Sequence, residues 1–430
     1  MTSIDLIYNT GFAWYSKGDS HVKGFAHLPD GKFLTGESLL ESFIASPDLD
    51  GFNSRVLGAN GMFSVIVSVE GFVWLGVDRM RSFPVFYSLP GKSGLRISDS
   101  VDKIISYTGK WKMNVPARNE FLATGYVTGN ETLVEEIFQV QAAEIVEINT
   151  SDEPNGKRIN SSVYSSYRTA MSVPERPSTS SSGKLVDELI QITNRISERL
   201  ASSLGGRTAV IELSGGYDSR LVASMLKKHN YSQLICFSYG REGNPDMMRA
   251  EEVAGKLGIK FIPIIYTGEM ISGFQSDQEF LEYVRFSSNK TSMFFMQEYF
   301  AMKYLVDEGL IPSDAVCIPG HSGDFFGGSQ LLKHGLHDGD EPVASTIRRI
   351  YDTKYAWNKP AERVKKSLMD RIGRTLADKD IVSGSIPYTV HEDWDLKEKF
   401  SKFIVNSSNI FAWFGFEYRL PLYDYEQDIR

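Results

Sequence analysis

Residues 211–222 read Ile-Glu-Leu-Ser-Gly-Gly-Tyr-Asp-Ser-Arg-Leu-Val. An apolar strand, Thr208–Leu213, runs into a polar loop, Ser214–Ser219, and a helical pattern follows over Arg220–Lys228. Paired glycines at such a turn let the backbone approach a ligand, and the new helix presents free N–H groups and its positive dipole end. Asp218 would repel a bare phosphate, so it indicates a bridging cation such as Mg²⁺. The loop is therefore predicted to hold pyrophosphate together with a metal ion.

Two commoner phosphate loops do not fit this stretch. It lacks the Gly-x-Gly-x-x-Gly spacing of dinucleotide folds and the Lys of a Walker loop. Ser-Gly-Gly-x-Asp-Ser instead resembles the signature of the PP-loop ATP pyrophosphatases, which cut ATP between its α- and β-phosphates. An ordinary glycine turn capped by Asp and Ser is the alternative interpretation.

Composition narrows the class of protein. The chain has 430 residues, 42% of them hydrophobic, which is enough for two or more domains. A net charge of −8 without a basic block argues against nucleic-acid binding. No apolar run is long enough for a membrane span, and no secretory signal is visible. Two cysteines, Cys236 and Cys317, exclude a disulfide framework, fit a cytoplasmic protein and are expected to be buried small hydrophobes.

The chain divides into three parts by composition. Residues 1–150 are predicted to be β-rich and layered, with strands at Gly61–Val69 and Gly71–Val77. Residues 151–183 are predicted to be a linker, because Ser172–Gly183 offers almost nothing to bury. Residues 184–430 form the third part, which begins with an amphipathic helix over Leu185–Leu200.

Strands and helices alternate after the opening loop. Strands are predicted at Gln233–Tyr239, Ile259–Ile265 and Asp314–Gly320, a helix at Arg249–Leu257, and mainly helix over 276–310. This alternation predicts a parallel α/β sheet, in which ligands bind at the carboxyl ends of the strands.

Three further segments carry polar or glycine-rich signals. They are Ser238–Gly240 at a strand end, the loop Gly320–Gly328 with its His321 and Asp324, and Glu417–Asp424 near the C-terminus. Each is weak alone: a His and an Asp in such a loop are common turn formers, and Glu417 and Arg419 could form a simple ion pair.

In their order these segments resemble the asparagine synthetase family over nearly the whole chain. The N-terminal part resembles the family's glutaminase-type domain at the segments Asn60–Phe63, Asp78–Arg79, Pro84–Tyr87 and Thr132–Ile137. The resemblance implies an α/β protein with an N-terminal Ntn-hydrolase-like αββα domain at 1–150 and a linker at 151–183. It also implies a parallel α/β PP-loop (adenine nucleotide α-hydrolase-like) synthetase domain at 184–430.

The resemblance also implies the chemistry and the site. ATP and Mg²⁺ would activate a carboxylate as its acyl-adenylate, and an amine or ammonia would attack it to form an amide. The implied ATP-binding residues are Leu213, Ser214, Gly215, Gly216, Asp218, Ser219, Ser238, Gly240 and Gly320. Asp218 and Asp324 are the implied metal ligands, and His321, Asp324, Glu417 and Arg419 the implied catalytic group.

Three departures from the family pattern limit this interpretation. The family's glutaminase uses an N-terminal Cys, but position 2 is Thr and no Cys precedes Cys236, so glutamine hydrolysis by a thiolate is not expected. An N-terminal Thr can be a nucleophile in other enzymes, yet a structural N-terminal domain is the favoured interpretation. The chain also stops at Arg430, soon after Asp424, where family members usually continue; a truncated, fragmentary or shortened member remains open.

The acidic loop is the third departure. Family members have Gly-Glu-Gly-x-Asp-Glu, whose first Glu is their candidate base, where this chain has Gly320-His-Ser-Gly-Asp. His321 is our candidate for that base, because imidazole titrates near neutral pH. Asp324 is assigned to the metal or a phosphate, and its acting as the proton acceptor remains open.

The substrate is left open by the sequence. Aspartate or another acid such as a sugar uronate is expected as acceptor, and Arg220, Arg249 or Arg419 could bind a second carboxylate. A lactam-forming ligase, a PP-loop nucleotidyl transferase and a non-catalytic nucleotide-binding scaffold are the alternatives. A separate glutaminase could serve as a partner, and the chain could also form a homodimer.

Overall fold

The computed structural model describes residues 2–46, 48–88, 94–109, 111–151, 159–165, 179–321, 323, 341–355, 357–358, 360–376, 385–386 and 389–427. The strands within these ranges are β1 Thr2–Asp5, β2 Trp14–Lys17, β3 Ser20–His27, β4 Phe33–Thr35, β5 Asn60–Val69, β6 Phe72–Val77, β7 Phe86–Ser88, β8 Leu95–Ser98, β9 Ile137–Gln139, β10 Glu144–Asn149, β11 Ile159–Val163, β12 Ala209–Glu212, β13 Leu234–Gly240, β14 Lys260–Ile265, β15 Val316–Ile318, β16 Glu341–Pro342, β17 Ser385–Ile386 and β18 Glu417–Tyr418.

The helices within the same ranges are α1 Gly36–Ile44, α2 Leu49–Gly58, α3 Val101–Thr108, α4 Val115–Thr124, α5 Thr179–Ser203, α6 Tyr217–Lys228, α7 Pro245–Leu257, α8 Gln278–Ser288, α9 Tyr299–Asp307, α10 Val343–Lys354, α11 Glu362–Leu376, α12 Thr389–Asp395, α13 Val405–Ser407 and α14 Asn409–Trp413. A π-helix spans Leu396–Ile404, and short 3₁₀ helices span Phe274–Ser276, Pro421–Tyr423 and Tyr425–Gln427.

The N-terminal half is built in four layers. A sheet of order β11-β10-β6-β5-β3-β2, with β4 paired to β3, faces a smaller sheet of order β1-β8-β7-β9. α1 and α2 bury Leu40, Phe43 and Phe52 against the outer face of the larger sheet. α3 covers the outer face of the smaller sheet, where Ile104 packs near Phe86. The predicted αββα architecture is therefore confirmed.

The C-terminal half contains the predicted parallel sheet. Its order is β14-β13-β12-β15-β18, and every described pairing in it is parallel. Helices α5, α6 and α7 pack on one face, whereas α8 and α9 pack on the other. The carboxyl ends of β12, β13 and β15 consequently lie side by side at one edge.

One segment differs from the sequence predictions. The predicted linker contains β11, which pairs with β10 in the larger N-terminal sheet, and its last residues begin α5. The segment 276–310 is mainly helical, as predicted; α8 and α9 are separated by a stretch in which Asn289 and Lys290 adopt positive φ angles of 41° and 53°. The domain limits stay a prediction, and we propose to move the first one beyond Val163.

One apolar cluster joins the two halves. It contains Phe12 and Phe83 from the N-terminal half together with Val210, Phe237 and Tyr418 from the parallel sheet. The Phe12 and Tyr418 rings lie 5.9 Å apart, and the Phe83 and Tyr418 rings 6.2 Å apart. The N-terminal half therefore packs against β18, the last strand of the sheet, through the Tyr418 ring.

Two expectations from composition concern cysteines and membranes. Cys236 and Cys317 are fully buried in β13 and β15, as expected. Among the helices that the structure describes, none has the length and apolar character needed to cross a bilayer.

Candidate active site

The loop Ser214–Ser219 joins β12 to α6 at the carboxyl edge of the sheet and is held by its own serines. The Ser214 N–H donates to Ser219 Oγ at 3.0 Å, and the two serine hydroxyls are 3.1 Å apart. The Gly216 N–H donates to Ser214 Oγ at 3.2 Å. Before the loop, Leu213 is anchored in the core by its N–H bond to the Phe237 carbonyl at 2.9 Å. The loop is therefore shaped before any ligand arrives.

The start of α6 is open to an anion. Gly216 is its N-cap residue and has no side chain to cap the first-turn N–H groups. Those N–H groups have no partner within the helix, and they carry the positive end of its dipole. Asp218 lies in this first turn and is partly exposed. An anion bound here would thus meet both N–H donors and a carboxylate suited to a shared cation.

Gly215 fits because its neighbours leave no space for a side chain. A Cβ at this position would lie 2.6 Å from Asp246 Oδ1 and 3.3 Å from Arg249 Cδ. Arg220 donates to the Gly215 carbonyl at 3.2 Å. Two of the three arginines considered for an acceptor carboxylate therefore lie beside the loop.

The end of β13 forms the next part of the same edge. Ser238 is buried, and Gly240 follows it at the last position of the strand. A Cβ on Gly240 would overlap the side-chain amide of Asn244, the N-cap residue of α7. The φ angle of Gly240, 154°, favours glycine here, and the Asn244 side chain would also have to move for any larger residue.

The segment after β15 closes against the loop from the other side. A Cβ on Gly320 would lie 2.6 Å from the Ser219 backbone N and 2.7 Å from its Cα. A Cβ on Gly323 would overlap the Asp218 carboxylate. This contact follows from the strand order, since β12 lies between β13 and β15. The structure thus brings together three of the four segments singled out in the sequence.

His321 lies in this closing segment. Its Nδ1 is buried and has no hydrogen-bond partner in the part of the chain that is described. Burial lowers the pKa of His321 to about 4, so the ring is neutral at physiological pH. Asp324 lies outside the described residues.

Glu417 and Arg419 lie elsewhere, which corrects their grouping with the catalytic residues. Glu417 pairs in register with Val316 at the amino end of the sheet, opposite the loop. Its carboxylate binds Arg419 at 2.8 Å and Arg207 at 2.9 Å. Arg419 is 3% exposed, donates to the Ser203 carbonyl at 3.0 Å and lies 4.3 Å above the Phe25 ring. Burial would raise the pKa of Glu417, but the two arginines hold it below its usual value.

The geometry therefore favours a structural ion pair at this position. The register of the short strand β18 depends on tertiary packing, so it cannot be predicted from the local sequence. Neither side chain reaches the edge that carries Ser214.

The N-terminal motif residues make structural contacts. Asp78 accepts hydrogen bonds from the N–H groups of Phe63 and Ser82, each at 3.0 Å. Arg79 donates to the Leu57 carbonyl at 2.8 Å. Asn60 donates to Asp424 at 3.0 Å and so joins the two halves. Thr2 lies in β1, paired in register with Leu95.

A pair of carboxyl groups at the same edge was missed by the sequence reasoning. Glu212, the last residue of β12, and Glu298, the N-cap residue of α9, both contact the Tyr239 hydroxyl. Burial and then the charge of Glu298 raise the pKa of Glu212 to about 8. The sequence offered one indication of this pair, because a Glu within the apolar strand Thr208–Leu213 is unusual.

Comparisons with known proteins find solved structures of low overall similarity and one family model. Among solved structures, an NH3-dependent NAD synthetase from Campylobacter jejuni subsp. jejuni in complex with the nitrate ion is 14% identical. That match covers 49% of this chain and 94% of the synthetase, with a TM-score of 0.26. A phosphoribosylpyrophosphate amidotransferase from B. subtilis, complexed with ADP and GMP, is 11% identical over 71% of this chain and 63% of its own, with a TM-score of 0.23.

A search of curated proteins finds no match. A family model described as asparagine synthase matches residues 204–426, just over half of the chain. The matched range begins before β12 and includes the loop Ser214–Ser219, α6 and the Gly320 segment. On this match, the chain belongs to the asparagine synthase family.

Proposed function

We propose that this protein is an ATP-dependent amide ligase that adenylylates a carboxylate, releases pyrophosphate and forms an amide with ammonia or an amine. One observation carries the proposal: the segments that follow β12 and β15 touch each other at the open start of α6, through Gly320 on Ser219 and Gly323 on Asp218. A nucleotide held there would have its phosphates at the helix N-terminus.

The loop residues have distinct tasks in this proposal. Serine hydroxyls and N–H groups at the start of α6 hold the β- and γ-phosphates and stabilise charge that develops on pyrophosphate as it leaves. Ser238 and Gly240 line the adenosine. Bound ATP supplies AMP as a leaving group on the acceptor carboxylate.

The protein side chains at this site would bind Mg²⁺ only together with the phosphates of ATP. Within the described residues no group of three or more His, Cys, Asp or Glu side chains is arranged to hold a metal ion. Mg²⁺ is usually bound by one or two carboxylates plus substrate phosphates, which matches Asp218 beside a phosphate site. Asp324 is proposed as the second carboxylate.

The acceptor is proposed to carry a second anionic group, as aspartate or a sugar uronate does. Arg220 and Arg249 lie beside Gly215 and could pair with that group. The nitrogen is proposed to come from ammonia or an amine rather than from a thiolate glutaminase in this chain. Burial raises the pKa of both cysteine thiols, that of Cys236 to about 12, which keeps them protonated.

His321 is a weaker candidate for the base than the sequence suggests. A general base works best when its pKa lies near the working pH, and the pKa of His321 is lowered to about 4. We propose that the neutral ring positions a reactant by accepting a hydrogen bond at Nδ1. The proton acceptor must then be sought among other groups at the edge.

The test is acid-dependent exchange of labelled pyrophosphate into ATP, measured without any amine. Exchange with one acid from a panel of aspartate, other amino acids and sugar uronates is expected. Asp218→Asn should abolish it, whereas Asp50→Asn, in the first turn of the N-terminal helix α2, should not. ATP binding without exchange for every acid would refute the ligase and leave a nucleotide-binding scaffold.

A further inference from the structure

Glu212 and Glu298 form a compact acidic pair beside the loop. The Tyr239 hydroxyl donates to Glu212 Oε1 at 3.2 Å. The same hydroxyl contacts Glu298; burial raises the pKa of Glu298, and this contact opposes that rise. Glu298 is only 7% exposed. The two carboxyl groups therefore share one hydroxyl; Glu298 is buried, whereas Glu212 is half-buried with its Oε2 atom enclosed.

Each carboxyl group has an unused acceptor. The Oε2 atoms of Glu212 and Glu298 are buried and have no hydrogen-bond partner in the described part of the chain. No Lys, Arg or His in that part forms an ion pair with either group. Burying carboxylates without a cation is costly, so such a pair retains a proton or binds a positive ligand.

The groups that face the pair are neutral. They are the phenols of Tyr239 and Tyr266 and the thiol of Cys317, whose pKa values are all raised by burial, with Glu212 adding to each rise. Tyr266 stacks on Tyr239 at 5.3 Å, and its own hydroxyl is used by the Gln297 carbonyl and the Ala301 N–H. The stacked rings form an aromatic wall, which suits a small organic cation.

The pair lies at the working edge of the sheet. Glu212 precedes Ser214 by two residues, so their Cα atoms are within about 7 Å of each other. Tyr239 stands between Ser238 and Gly240 at the end of β13. A ligand on the pair would approach the loop from the face covered by α8 and α9, opposite the face that carries α6.

We propose that Glu212 and Glu298 bind the nitrogen donor as a cation, either ammonium or a primary ammonium group, and accept the protons it loses. This rests on the proposed ligase function. A metal ion fits less well, because two carboxylates and a phenol supply few of the ligands that Mg²⁺ requires.

The proton balance uses both carboxylates. Binding of the cation first displaces the proton that the empty pair retains. The bound R–NH3⁺ then gives one proton to one carboxylate, and its nitrogen lone pair forms the C–N bond as the C–O bond to AMP breaks. AMP leaves with that bonding pair, the second nitrogen proton goes to the other carboxylate, and both protons pass to solvent.

The kinetic test separates the two half-reactions. Glu212→Gln and Glu298→Gln should leave acid-dependent pyrophosphate exchange within about twofold, because no amine takes part. The KM for ammonium or amine in amide formation should rise by at least about 30-fold, the lower end of the range for losing one partner of a buried charge contact. The control Glu308→Gln, an exposed residue just after α9, should change neither quantity.

A binding test works without turnover. Ammonium chloride and methylammonium chloride should raise the melting temperature of the wild-type chain above that in sodium chloride, and proton release should accompany binding. The Glu212→Gln variant should lose both effects. If exchange fails for every acid but these effects persist, the ligase is wrong and the cation site stands. An unchanged amine KM in both variants, or an equal response to Mg²⁺ alone, would overturn the site.

Discussion

Replacing Gly320 by Ala tests the contact on which the candidate site depends. Gly320 is not among the described glycines with positive φ, so its backbone accepts an Ala side chain without strain. The new Cβ would lie 2.6 Å from the Ser219 backbone N, which is 0.8 Å less than the 3.4 Å at which ordinary contact begins. The Ser219 Cα and Cβ would both be 2.7 Å away. Backbone on both sides must therefore separate by close to an ångström.

The expected loss follows from that displacement. A misplacement of about 1 Å in a reacting geometry costs about 10² in rate. Overpacking of a tight contact costs about 1–3 kcal/mol of stability, which a domain of this size tolerates. We expect Gly320→Ala to fold, to unfold at slightly lower urea, and to lose about two orders of magnitude in acid-dependent pyrophosphate exchange.

Gly255→Ala is the matched control. Gly255 lies in α7 of the same half with no heavy atom within 4 Å of an added Cβ, and Ala should stabilise the helix by up to about 1 kcal/mol. Exchange in this variant should equal that of the wild type. If Gly320→Ala also keeps wild-type exchange, the two loops do not act as one site and the reasoning is refuted.

Three further outcomes are expected. Ser219→Ala removes the acceptor that holds Ser214 and should lower exchange by about 10² with little change in melting temperature; an unchanged rate would mean that the serine tie is not needed. Glu120→Gln weakens a buried contact with Arg371, 2.8 Å long, and should cost about 3 kcal/mol in urea unfolding while leaving exchange intact; a loss of exchange at full stability would contradict this structural role. The pKa of Glu212 is about 8 in the folded protein and 4.5 for an ordinary Glu. Its protonation therefore stabilises the fold fully below pH 4.5, and this stabilisation is lost as the pH rises through 8. The Glu212→Gln variant should therefore become more stable relative to the wild type at alkaline pH. If the difference in unfolding free energy between the two proteins is the same at every pH, the pKa of Glu212 is not raised.

Local signals account for the parts of the fold that the sequence predicts well. The apolar run before Ser214, the paired glycines and the helix after them lie within some 20 residues, and the structure reproduces them as β12, the loop and α6. The strand-to-helix alternation likewise predicts β13, α7 and β14. Strand patterns also predict that residues 1–150 are β-rich and layered, whereas the αββα arrangement is implied only by the family resemblance.

The remaining features depend on distant packing. β11 reads Ile-Asn-Ser-Ser-Val, a mostly polar and exposed stretch whose pairing with β10 no composition rule would reveal. Glu212 and Glu298 are far apart in the chain, and only the strand order and the docking of α9 bring them together. Glu417 and Arg419 resemble site residues by motif, but the register of β18 places them at the opposite end of the sheet.

The apolar contact between Tyr418 and the Phe12 and Phe83 rings gives the N-terminal half a structural role. β18 is the last strand of the parallel sheet, and an uncovered last strand offers free backbone groups to other chains. The N-terminal half packs on the Tyr418 ring of that strand, so removing this half would expose apolar surface beside the strand and is expected to promote self-association of the C-terminal half. A contribution of this kind to solubility requires no reaction in the N-terminal half.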